Sequence, residues 1–103
     1  MTQLTSQEVK EKINNKENFV LDLFATWCGP CKVLMGNLGA LEKSGEALPM
    51  NIYTLDIDSD RDFVMELGIR SVPTLKVYKG GEEVFSNVGV MSQSQLLEVM
   101  TKY

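Results

Sequence analysis

The sequence predicts an α/β fold with a central mixed sheet carrying helices on both faces. Three observations predict it. Strand-like and helix-like patterns alternate from residue 5 to residue 68 and are followed by a hairpin and a last helix. Phe19-Val20-Leu21-Asp22-Leu23-Phe24 is almost continuously apolar, as a strand covered on both faces must be. The hairpin at Gly80-Gly81 adds an antiparallel pair to a sheet whose earlier strands are joined through helices, so the sheet is mixed.

Each element has its own signal. Thr5-Ser6-Gln7-Glu8 has the form of a capping box and opens a short helix to about Asn15, with Val9 and Ile13 inward. After the strand from Phe19 to Phe24, a helix runs from about Cys28 to Ser44, its buried stripe being Cys31, Leu34, Met35, Leu38 and Leu41. Ile52 to Ile57 reads as a second strand. Ser59 or Asp60 caps a short helix bearing Phe63, Val64 and Leu67, which Gly68 ends. Strands from Thr74 to Lys79 and from about Glu83 to Val88 flank the hairpin turn. Ser92-Gln93-Ser94-Gln95 is a second capping box, opening a helix with Leu96, Leu97 and Met100 inward.

At 103 residues the chain is expected to form one domain, 1–103, and its 44% hydrophobic and 23% charged content is ordinary for a globular protein. A net charge of −4 with no basic cluster argues against nucleic acid as a partner. No apolar run approaches the ~18 residues of a membrane span, so no membrane partner is expected. Met1-Thr2-Gln3-Leu4-Thr5 lacks the basic start and apolar core of a secretory signal.

The chemistry concentrates at Trp27-Cys28-Gly29-Pro30-Cys31, which holds both cysteines of the chain where a strand gives way to a helix. A helix N-terminus carries roughly half a positive charge and unpaired N–H groups, and it stabilises a thiolate, the form that attacks disulfides. Cys31 falls on the inward stripe, whereas Cys28 lies at the helix entrance, where a partner can reach it. The pattern is that of a dithiol–disulfide redox protein. A zinc site needs four ligands, and two cysteines with no histidine do not supply them, so no metal is expected. As a structural staple, a loop this short is worth only ~2 kcal/mol. Trp27, beside the cysteine, shapes the active-site surface or simply fills core. Asp22 interrupts an apolar run: either it faces outward from a half-exposed strand or it is a buried carboxyl, costly without a partner. The acidic run Asp56, Asp58, Asp60, Asp62 lacks the glycine and glutamate of a calcium loop and reads as a solvated turn and helix cap. Most of the methionines read as core filler.

Over nearly the whole chain these residues resemble the thioredoxin family. The matching pieces are Asp22, Phe24-Ala25-Thr26-Trp27-Cys28-Gly29-Pro30-Cys31-Lys32, Asp56-Ile57-Asp58, Gly68-Ile69-Arg70-Ser71-Val72-Pro73-Thr74, Lys79-Gly80-Gly81-Glu82 and Gly89. The resemblance implies a thioredoxin fold, with four to five strands in the sheet. It implies a protein disulfide reductase in which Cys28 attacks a client disulfide and Cys31 resolves the mixed disulfide. It also implies a raised-pKa Asp22 beneath Cys31 as proton acceptor. Pro73, by itself readable as an ordinary loop proline, is then a cis-proline facing the cysteines, with backbone near Val72 bonding an extended client strand and Thr74 following it in the same groove. Gly29 and Pro30 lie within the redox loop, and Gly89 and Met91 border the same apolar patch, or are a plain turn glycine and a core methionine.

The resemblance further implies no bound cofactor beyond the Cys28–Cys31 disulfide. NADPH is used only indirectly, through a thioredoxin reductase, and the protein is expected to be a monomer. Related oxidants and isomerases commonly carry histidine between the cysteines, so Gly29-Pro30 points to a reductant and to the cytoplasm. The alternative is a binding subunit of a larger complex, with redox chemistry incidental. Three positions depart from the family pattern: Thr54 replaces a frequent lysine near the buried aspartate, Gly36 a helix-bending proline, and Phe24 a second tryptophan.

Overall fold

A computed structural model describes residues Met1–Tyr103. Nine elements follow one another: β1 (Thr2–Gln3), α1 (Ser6–Asn14), β2 (Phe19–Phe24), α2 (Gly29–Lys43), β3 (Asn51–Asp56), α3 (Arg61–Glu66), β4 (Thr74–Lys79), β5 (Glu82–Val88) and α4 (Gln93–Lys102). The five strands form one sheet in the order β1-β3-β2-β4-β5. β1 and β2 run parallel to β3, whereas β4 is antiparallel to both β2 and β5, so the sheet is mixed.

β2 lies in the middle of the sheet, and all six of its residues are buried. Its alternate side chains divide the core. Phe19, Leu21 and Leu23 join Leu55 and Tyr78 beneath Val9 of α1 and Phe63 and Val64 of α3. Val20 joins Ile52, Leu75 and Val77 on the other face, beneath Leu34, Leu38 and Leu41 of α2 and Leu96 and Met100 of α4. Helices therefore cover both faces, as the uninterrupted apolar run of β2 requires.

Both capping boxes form. Thr5 Oγ1 accepts the Glu8 N–H while Glu8 accepts the Thr5 N–H, and Ser92 and Gln95 do the same at α4. Asp60, one of two candidates, caps α3 by accepting the Phe63 N–H at 3.1 Å. α2 continues through Gly36 without a break. In the hairpin Lys79 faces Glu82, and Gly80 and Gly81 have φ of +62° and +79°, the two-residue turn whose twist matches its strands. Gly81 has a second reason: a Cβ there would collide with the Ile13 carbonyl at the end of α1.

β1 is the element that the sequence pattern does not announce. Its two exposed residues are too few to show a period, and pairing with Tyr53 and Thr54 alone makes it a strand. Leu97 is only partly buried, although it is read as an inward residue of α4.

Candidate active site

β2 ends at Phe24, and a turn closed by the Cys28 N–H on the Ala25 carbonyl (3.2 Å) carries the chain to the start of α2. Cys28 is the N-cap of that helix, with extended backbone, and its Sγ accepts the Cys31 N–H at 3.2 Å. Sulfur thus occupies the place where a serine or aspartate oxygen ordinarily satisfies an orphan amide. Gly29 and Pro30 fill the first helical positions, where the missing proline N–H costs nothing. Cys28 and Cys31 are joined as a disulfide.

Helical phase predicts an accessible Cys28 beside a sheltered Cys31, and here the structure corrects it. Cys28 is 5% exposed and Cys31 1%, so both are buried and the difference is small. The two sit in an apolar collar with Phe24 and Ala25, against which Met35, Ile57 and Val72 pack. Phase along one helix records only that helix's own faces and not a collar built by three other segments.

Trp27 is 70% exposed, which excludes the core-filling reading. Its indole Nε1 donates to Asp58 Oδ2 at 3.1 Å, and the Asp58 N–H donates to Asp56 Oδ1 at 2.9 Å. Asp58 lies on the solvated turn that the sequence predicts, and its bond to Trp27 makes it a site residue as well, a contact that the sequence reading did not include. The contact spans 31 residues, and no local pattern encodes it.

Asp22 is fully buried, which excludes an outward-facing position on a half-exposed strand. It stands between Val20, packed under α2, and Phe24, packed against the cysteines, and so occupies the α2 side of the sheet. Its register neighbours are Thr54 on β3, itself buried, and Leu75 on β4. Neither carboxylate oxygen has a hydrogen-bond partner. Burial, with no cation to oppose it, pushes the Asp22 carboxyl up to about 7.

The Val72–Pro73 bond is cis, Pro73 is buried, and Val72 packs against the cysteine collar. Thr74 is buried, with Oγ1 donating to the Ser71 carbonyl at 2.7 Å. The Gly89 N–H donates to the Pro73 carbonyl at 2.9 Å, and Gly89 has φ +102°, a conformation that favours glycine. Met91, at 7% exposure, belongs to the core cluster under α2 and α4, and its carbonyl accepts the Asn37 side chain of α2. A groove of about 360 Å³ opens beside Trp27, lined by Ile57, Val64, Ile69, Arg70, Ser71 and Val72. Ile57, Ile69 and Arg70 are groove residues that no sequence period marks, because they come from two loops, one after β3 and one after α3.

No three His, Cys, Asp or Glu side chains are placed to hold a metal ion, and no helix is long and apolar enough to cross a membrane.

A Cys-x-x-Cys pair at a helix N-cap, at one end of a five-stranded mixed sheet, is the arrangement of a thiol–disulfide oxidoreductase. Comparison with known proteins makes the class specific. The family model described as thioredoxin matches residues 1–102. The chain is 32% identical over 104 residues to a thioredoxin of Porphyra purpurea, covering 100% of this chain and 96% of that one. To a thioredoxin of Chlamydia muridarum it is 35% identical over 103 residues, covering 100% and 99%. Its fold matches that of a chloroplastic thioredoxin z with a TM-score of 0.85 at 21% identity, over 99% of this chain and 92% of the other. The chain belongs to the thioredoxin family.

Proposed function

We propose that this chain is a protein disulfide reductase serving as a cytoplasmic electron carrier. In this reading it acts as one monomeric domain over residues 1–103 and is returned to its dithiol form by a thioredoxin reductase drawing on NADPH. The observation that carries the reading is Cys28 at the N-cap of α2, with its sulfur already receiving the Cys31 N–H. That donor and the helix dipole favour a thiolate at Cys28 once the pair is reduced.

The reaction then runs in two displacements. Cys28 thiolate attacks one sulfur of the client disulfide; the client S–S bond breaks, and the departing client thiolate takes up a proton. Cys31 gives its proton to the Asp22 carboxylate, directly or through water, and its thiolate attacks Cys28 Sγ. The mixed disulfide breaks, the second client thiolate leaves and is protonated, and Cys28–Cys31 remains oxidised. Two electrons have passed to the client. Trp27, Gly29 and Pro30 shape the surface over which the client disulfide lies, while Val72, Pro73, Thr74 and Gly89 form its groove.

The absence of histidine supports a reductant in a reducing compartment. The deciding measurement is the potential of the Cys28–Cys31 pair in a thiol–disulfide buffer, read by Trp27 fluorescence. A value near the family's own figure of roughly −270 mV is expected, whereas one of roughly −180 to −120 mV would reverse the direction of electron flow. The resolving role of Cys31 is tested by Cys31→Ser, which should accumulate the mixed disulfide on Cys28 during turnover; a client released at the wild-type rate would remove Cys31 from the mechanism.

A further inference from the structure

A second groove, of about 440 Å³, opens between β5 and α4, and the two displacements do not use it. Its apolar lining is Phe85, Val88, Val90, Met91, Val99 and Tyr103. Val88 and Val90 are 63% and 45% exposed. A single exposed valine is ordinary, but two on the rim of a concavity whose apolar side chains stand among Asn87, Gln95, Glu98 and Lys102 are what a binding surface presents. Met91 adds an unbranched thioether that can adapt to occupants of different shape.

The groove is continuous with the redox surface. Val88 is the register partner of Thr74, and the next residue, Gly89, donates its N–H to the Pro73 carbonyl. Met91 is held through its carbonyl by Asn37 of α2, the helix that begins at the disulfide. β5 is also the outer strand of the sheet, so alternate backbone N–H and C=O groups on its far side have no strand partner and can bond an extended segment. A second copy of this chain is a poorer occupant. Antiparallel pairing along two β5 edges would set the apolar end at Val88 against the acidic end at Glu82-Glu83.

We infer that this groove is a second docking site for the client. An extended client segment whose disulfide lies over Cys28 continues past Gly89 and seats one branched or aromatic apolar side chain between β5 and α4. The inference rests on the reductase reading and names a feature of the clients that reading requires: an apolar anchor at a fixed distance from the reducible cysteine.

Peptides rich in serine and alanine test it. Each carries one cysteine disulfide-bonded to a small thiol and one phenylalanine, moved from about two to about eight residues away on either side, a reach of roughly 7 to 26 Å of extended chain. The expected result is a KM that falls about tenfold at one offset, with kcat little changed. Val88→Glu and Tyr103→Ala should each flatten that profile to the level of a phenylalanine-free peptide. A flat profile in the wild type, with the phenylalanine-free peptide still reduced, overturns the second site and leaves the reductase reading standing. Failure to reduce any peptide overturns both. An offset preference that survives Val88→Glu and Tyr103→Ala assigns the anchor to the Trp27 groove and overturns the inference. Concentration-dependent self-association abolished by Val88→Glu gives the groove to a second copy, with the same consequence.

Discussion

At the scale of single residues, Asp22 carries the largest electrostatic consequence. Its carboxyl is buried with both oxygens unpartnered, and burial raises it from 3.8 to about 7. The folded state therefore holds a proton that the unfolded chain has already lost above pH ~4. Stability is highest below that pH, falls as pH rises toward about 7, and is level beyond, a loss of roughly 4 kcal/mol from this group. Asp22→Asn should remove the fall, so that the melting temperatures of variant and wild type are close near pH ~4 and diverge in the variant's favour by pH ~8. A constant gap across that range in thermal unfolding would contradict the burial argument. In turnover the same variant should slow release of the mixed disulfide, which a stopped-flow measurement of the second displacement reads separately from the first.

Asp58 is the complementary case, an exposed group whose importance lies in what it holds. Asp58→Ala removes the acceptor of the Trp27 indole. A hydrogen bond at this exposed site is worth about 1 kcal/mol at most, so the fold should hold while the indole loses its fixed orientation. The expected signature is a changed Trp27 emission spectrum, a several-fold rise in KM for a protein disulfide, and a near-native unfolding midpoint. An unchanged emission spectrum would mean that the indole is held by other contacts.

At the scale of elements, two glycines in different settings make opposite predictions. Gly81 combines a left-handed φ with the Ile13 carbonyl directly in the path of a side chain. Gly81→Ala should cost about 2 kcal/mol or more in urea unfolding, through both turn strain and displacement of the α1 end. Gly36 lies in the interior of α2 with nothing within 4 Å of a Cβ. Gly36→Ala should therefore stabilise by roughly 0.5 to 1 kcal/mol, as helix propensity alone predicts. If Gly36→Ala instead destabilises, the glycine serves a bend of α2 rather than a solvated surface.

The main elements were legible for the reasons usual to each. Thr5-Glu8 and Ser92-Gln95 specify helix starts through reciprocal bonds four residues long, and the structure forms both boxes. The two glycines of the hairpin specify a turn that needs positive φ twice. β1 was not legible because Thr2 and Gln3 acquire strand character only from β3, and Leu4 fixes them through its N–H on the Thr54 carbonyl at 2.8 Å. Lys76 was equally opaque. It is 5% exposed within β4, paired with the Glu83 carboxylate on β5, and a lysine in a strand pattern reads as solvent-facing until that partner is known.

At the scale of the whole molecule, β2 couples the two halves of the core. Phe19, Leu21 and Leu23 serve the α1–α3 side while Val20, Asp22 and Phe24 serve the side of α2 and the cysteines. Leu21 is fully buried, and Leu21→Ala should cost about 2 to 5 kcal/mol. Because both faces share the strand, the loss should appear as one cooperative transition read identically by Trp27 fluorescence and by far-ultraviolet dichroism. Two separated transitions would show that the cysteine side of the sheet is stable without the other.

By itself the sequence determined the α/β class, the order of the principal elements and the chemistry of the Cys28–Cys31 pair, because spacing, caps and turn residues act over a few bonds. The tertiary structure decided which side of the sheet Asp22 faces, which carboxylate holds Trp27, and that a collar of Ala25, Ile57 and Val72 encloses both cysteines. These depend on side chains from segments roughly 30 to 50 residues apart meeting at one end of the sheet, and the position of that meeting is set by strand order and register rather than by any local run of residues.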